Sequence, residues 1–134
     1  MIYLLDTNTC IGWLRNTEPK IIARIQQENP ADLVLCSVVV GELVYGTERA
    51  GPIHHVANLN RVGQLRAQFV SLPFDDNAAD EYGKLRAYLA ANGKMIGPND
   101  LMIAAIALAN RVTLITHNTS EFQRVPGLLF EDWQ

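Results

Sequence analysis

Three carboxylates stand where apolar elements of this chain end or pass. Asp6 follows the run Met1 to Leu5, Glu42 sits within Val38-Val39-Val40-Gly41-Glu42-Leu43-Val44, and Asp100 precedes the stretch Leu101 to Ala109. Asp100 is the only carboxylate between Glu81 and Glu121, and a lone acid opening a nearly all-apolar helix asks for a reason. Carboxylates crowded together repel, so a cluster without basic partners either raises its pKa values or recruits a cation. A donor set of oxygens alone, with no cysteine or histidine at ligand spacing, selects Mg²⁺ or Mn²⁺ over zinc. Such a hydrated ion can orient and deprotonate a water for in-line attack on a phosphodiester while stabilising the leaving oxygen. Asn118, at the exit of Val112 to Thr116, is a fourth candidate for the same rim, and Thr7 and Ser37 could hydrogen-bond the acids or their waters.

Each of these residues also has a plainer reading. Asp6 after a strand and Asp100 at a helix N-terminus could simply cap backbone N–H groups. Glu42 could be one polar position on an amphipathic helix, and Asn118 a turn residue. Thr7 and Ser37 are natural caps. Glu121, three residues past Asn118, could add an acid to the rim, but its place past the turn reads first as a solvated surface position. His117 borders the rim, whereas His54 and His55 have no evident metal partners and read as surface positions. The bases Arg49, Arg66, Lys84, Arg86 and Lys94 could include phosphate contacts, but read by default as solvated charge on amphipathic helices.

The elements that must carry these side chains follow from hydrophobic pattern. Ile2 to Leu5 is a short continuous apolar run, the mark of a strand buried on both faces. Cys10, Trp13 and Leu14 recur at helical spacing, Thr17-Glu18-Pro19 breaks that helix, and a second is expected around Lys20 to Glu28. Leu33 to Cys36 repeats the strand signal, Ser37 is placed as an N-cap, and Val38 to Arg49 continues as helix until Gly51-Pro52. Ile53 to Phe69 carries Val56, Leu59, Val62 and Leu65 as an amphipathic stripe. Ala78, Ala79, Tyr82, Leu85 and Leu89 form another, closed at Asn92-Gly93 by a left-handed C-cap. Val112 to Thr116 is the clearest β run, and Leu128 to Trp133 reads as a final short strand.

Alternating β and α signals predict a three-layer α/β/α sandwich around a mostly parallel central sheet. At 134 residues the chain is expected to form one domain, 1–134, able to bury a core unaided. Its 49% hydrophobic and 19% charged residues suit a soluble globular protein, and no apolar run is long enough for a membrane span. The start lacks a signal-peptide pattern, which points to the cytoplasm, and Cys10 and Cys36 are expected to be buried, reduced thiols. The formal net charge of −3 argues against gripping nucleic acid by bulk electrostatics, so any phosphate ligand must be held locally. A carboxylate-bound cation would do this by reversing the local field.

Taken together, Leu5-Asp6-Thr7-Asn8, Ser37 with Gly41-Glu42-Leu43, Ile96-Gly97-Pro98-Asn99-Asp100 before Ile103-Ala104-Ala105, and Thr116-His117-Asn118 form a recognisable series. The chain resembles the PIN-domain ribonucleases, specifically the VapC toxins of bacterial toxin–antitoxin pairs, over nearly its whole length. The resemblance implies a Mg²⁺-dependent endoribonuclease, with Asp6, Glu42 and Asp100 at the family's acidic metal positions. It also implies a homodimer and a cognate antitoxin that holds the activity off. Asn118 stands where many PIN domains carry a fourth acid, so the site is expected to have one fewer charged ligand. Two other readings compete. A haloacid-dehalogenase-like phosphotransferase would use Asp6 as nucleophile, but that pattern wants an acid at position 8, where this chain has Asn8. A PIN-like fold that only binds protein or RNA would not need the three acids in register.

Overall fold

Short apolar runs separated by amphipathic segments condense into five strands and seven α-helices in the computed structural model, which describes residues 1–134. The first unit is β1 (Tyr3–Leu5), α1 (Thr7–Leu14) and α2 (Pro19–Gln27). Next come β2 (Leu33–Cys36), α3 (Ser37–Arg49) and α4 (Pro52–Gln68), then β3 (Val70–Leu72), α5 (Asp76–Ala91) and α6 (Pro98–Asn110). The chain closes with β4 (Thr113–Ile115), α7 (Thr119–Phe122) and β5 (Phe130–Glu131).

The strands pair in the order β3-β2-β1-β4-β5, and every pairing is parallel. Tyr3, Leu4 and Leu5 of β1 lie opposite Thr113, Leu114 and Ile115 of β4. All residues of β1, β2 and β4 are buried, so helices cover both faces of the sheet centre, as continuous apolar strands demand. Leu4, Leu5, Leu35, Leu114 and Ile115 are wholly excluded from solvent and join the inward faces of the helices in one continuous core. The expected α/β/α architecture is therefore present, with a sheet that is parallel throughout.

Strand order also fixes where the chemistry can gather. From β1 the chain moves to β2 on one side and later enters β4 on the other. The crevice beyond the carboxyl ends of β1 and β4 is thus a topological switch point, the usual ligand position in an open parallel sheet. Asp6 and Asn118 both leave the sheet there.

Local structure departs from the sequence reading at three places. Ser37 is not the cap of α3: it is the first helical residue, Cys36 holds the cap position without a side-chain bond, and the Ser37 hydroxyl instead accepts the Phe74 N–H at 3.2 Å. The loop after β3 claims the hydroxyl before the helix can. Asp100 is not a cap either, since Gly97 occupies that position and Asp100 lies inside the first turn of α6. In α4 only Val62 and Leu65 of the expected stripe are buried; Val56 and Leu59, in the first half of the helix, are exposed, so the apolar spacing there serves no core contact. The left-handed turn after α5 falls on Gly93, at φ +63°. Cys10 and Cys36 are buried free thiols, and burial raises both pKa values, that of Cys36 to about 11.

Candidate active site

Asp6 is placed by two elements at once. Its backbone N–H continues the sheet by donating to Ile115 O at 3.0 Å, and its carboxylate caps α1 by accepting the Thr9 N–H at 2.8 Å. The residue is buried, 7% exposed. Burial raises its pKa, the hydroxyls of Thr116 and Thr9 and the Thr9 N–H oppose that rise, and the nearby charge of Glu42 adds to it. One oxygen thus serves as a cap while the carboxylate still feels a second acid.

Glu42 lies in the second turn of α3. Thr7 Oγ1 donates to its Oε1 at 2.5 Å, and Asn99 Nδ2 reaches its Oε2 at 3.4 Å. Its two oxygens are therefore held from α1 on one side and α6 on the other. Asp100, half-buried at the start of α6, accepts from Asn118 Nδ2 at 3.4 Å. Burial is the largest cause pushing its carboxyl up to about 7, followed by a hydrogen bond and a like charge from Glu121, then the charges of Glu42 and Asp6. Asp6, Glu42 and Asp100, far apart in sequence, thus stand near enough for the charge of Glu42 to bear on the other two.

Glu121 belongs to this rim and is not the isolated surface acid its place past a turn suggested. One oxygen accepts the Gly97 N–H at 2.5 Å and the other accepts from the Asn118 amide. Burial works against its ionisation, but the Gly97 N–H and hydrogen bonds from Asp100 and Asn118 hold its pKa below the usual range. The two carboxyls are thus pushed in opposite directions, Asp100 up and Glu121 down. The i,i+3 step from Asn118 on a helical turn was the available signal, since it puts both side chains on one face.

Thr7 meets the acids as expected, and Asn118 lies between Asp100 and Glu121. Ser37 does not join them, its hydroxyl being turned to Phe74. Sequence reasoning passed over Asn99 and Thr116, polar neighbours that hold Glu42 and Asp6. His117 turns aside to Asp132, Nδ1 to Oδ2 2.8 Å, and His55 contacts Thr47 O and Glu48.

None of the four acids forms an ion pair with lysine or arginine. The donor set is all oxygen, partly desolvated and short of positive charge, which fits a hard divalent cation. No three of these acids stand close enough together to form a ready coordination sphere.

Comparison with known proteins meets this geometry from the other direction. A family model described as "PIN domain" matches residues 3–128. The tRNA(fMet)-specific endonuclease VapC of Salmonella typhimurium is 36% identical, over 98% of this chain and 97% of the relative. Ribonuclease VapC1 of Haemophilus influenzae is 38% identical, over 99% and 98%. Among solved structures, DNA-bound VapBC from Salmonella typhimurium superposes with a TM-score of 0.92 at 35% identity, covering 100% of this chain and 99% of that one. VapBC2 from Rickettsia felis, bound to a promoter DNA fragment, gives a TM-score of 0.89 at 30% identity with both chains fully covered.

Proposed function

Since the chain belongs to the PIN-domain family and, within it, to the VapC ribonucleases, we propose that it is an endoribonuclease, the toxin of a toxin–antitoxin pair. In this reading Asp6, Glu42 and Asp100 form the active site and bind Mg²⁺, or Mn²⁺ in its place. The observation that carries the reading is that three carboxylates from three different elements, none with a basic partner, stand along one rim at the β1/β4 switch point, bridged by Thr7, Asn99 and Asn118.

A divalent cation held there supplies positive charge against the scissile phosphate and lowers the pKa of a bound water. The chain's own side chains do the positioning. Thr7 and Asn99 fix the two oxygens of Glu42, Thr9 and Thr116 orient Asp6, and Asn118 sets Asp100 against Glu121. Glu121 also holds the backbone of Gly97, which fixes the start of α6 and so the position of Asp100. Burial of Asp6 excludes water from one side of the cluster, which strengthens attraction to any cation that enters.

The test is cleavage of RNA by the purified chain, with tRNA(fMet), named for the Salmonella relative, as the first substrate. Cutting that needs Mg²⁺ or Mn²⁺, stops with EDTA and is lost in Asp100→Asn supports the reading. Full cleavage by Asp100→Asn, or cleavage undiminished in chelator, overturns the site assignment. The partner expected is a small antitoxin, and the assembly expected is a homodimer of the toxin.

A further inference from the structure

The rim of acids is the end of a longer feature. A groove of about 920 Å³ runs between α1, α3 and α4 and reaches the site at Thr7, Glu42 and Asn99. Arg15, Arg49 and Arg61, one from each helix or its end, line it. All three are exposed, and none forms an ion pair although the chain has 14 acids to offer. Tyr45 lies on the same wall, 66% exposed, with the Arg49 guanidinium 5.6 Å from its ring centroid.

Resting on the nuclease reading above, we propose that this groove is the track along which single-stranded RNA approaches the carboxylates, with Arg15, Arg49 and Arg61 holding phosphates and Tyr45 stacking a base. An acidic chain cannot attract RNA by its overall field, so phosphates must be met by local, uncompensated cations. Three unpaired guanidiniums along one trough supply them, in the fork geometry that matches phosphate oxygens. An exposed aromatic among them gives the flat face that unpaired bases prefer. The groove is continuous with Glu42, so a strand bound by these residues delivers its backbone to the acids.

The experiment uses the full chain carrying Asp100→Asn, so that RNA is bound without being cut, and a fluorescein-labelled unstructured RNA oligonucleotide read by anisotropy. Replacing Arg15, Arg49 and Arg61 together by Gln is expected to weaken binding and to flatten the plot of log affinity against log salt by about two units, near 0.7 for each phosphate no longer neutralised. The triple Lys replacement should restore the slope. Tyr45→Ala should lower affinity at least about fivefold and leave the slope unchanged. All four side chains are exposed, so the variants are expected to fold, and far-ultraviolet dichroism checks this. An unchanged slope in the triple Gln variant overturns the track, as does loss only of binding to a partner protein while RNA affinity stays intact. Cleavage kinetics in the Asp100 parent separate the two readings. RNA cutting with KM unmoved by the triple Gln change defeats the track and leaves the nuclease standing, whereas RNA bound along the groove but never cut defeats the nuclease.

Discussion

Asp100 carries the largest perturbation in the site, its carboxyl standing near 7 for reasons of burial and of a hydrogen bond and like charge from Glu121. A raised acid binds its proton in the folded state before it does in the unfolded chain. Metal-free protein should therefore lose stability as pH rises from about 4 toward 7, the window between the ordinary aspartate value and the folded one. Asp100→Asn removes that liability along with the proposed ligand, so its melting temperature should rise by a few degrees at pH 7 while cleavage disappears. A melting temperature that falls, or does not depend on pH in the parent, contradicts the placement of Asp100 among like charges. Glu121→Gln is the companion change. It should bring the Asp100 carboxyl back toward the usual aspartate range, followed as a carbon-13 chemical shift against pH. No movement would mean that Glu121 is not its electrostatic partner.

Among the elements, α1 depends on the same residue that the site uses. Asp6 caps its N-terminus through the Thr9 N–H, so the choice of substitution decides what is measured. Asn caps as well as Asp does, and Asp6→Asn should lose cleavage with the fold intact. Asp6→Ala also removes the cap, at a cost of about 1 kcal/mol read by urea unfolding. Equal stability for the two variants would deny the capping role. The packing of α1 on α2 sets a second constraint at Gly12, where an added Cβ would lie 2.8 Å from Glu18 Cγ and 3.2 Å from its Cβ. Alanine is the better helix former, yet Gly12→Ala is expected to destabilise by about 1 kcal/mol or more, because Glu18 leads directly into Pro19 at the start of α2 and cannot move freely.

For the whole molecule, a cation that binds only the folded site must raise its stability with concentration, by about 2.7 kcal/mol at a hundredfold excess over the dissociation constant. Thermal melts of the parent should climb with Mg²⁺ and fall back with EDTA, and the response should vanish in Asp6→Asn. A response of equal size in that variant would place the ion elsewhere. The same anionic rim explains how a partner could silence the enzyme. A cluster of partly buried carboxylates without basic neighbours favours any incoming cation, including a lysine or arginine side chain. Expression of the chain alone is expected to arrest growth, co-expression of a small neighbouring gene to rescue it, and Asp6→Asn to be harmless. Harmless expression of the parent would remove the main support for the toxin role.

The sequence by itself determined the alternation of strands and helices, the burial of Leu4, Leu5, Leu114 and Ile115, and the three acids, because apolar periodicity and punctuation by Gly, Pro and Asp are local signals. Val112 to Thr116 could be read as β from composition alone. Which strands became neighbours was not local: β1 lies between β2 and β4 only because the chain reverses direction across the sheet after β3, and that reversal creates the crevice in which the acids meet. Side-chain roles were decided in the same way. Ser37 had the chemistry of a cap and a site residue, and lost both to the backbone of Phe74, 37 positions away. Glu121 had the look of a surface acid and became the partner of Asp100, Asn118 and Gly97 because the fold sets the turn that carries it beside the start of α6, where the Gly97 N–H reaches its carboxylate. Hydrogen bonds and like charges act over a few ångströms of space, and only the folded chain specifies which residues lie within that reach.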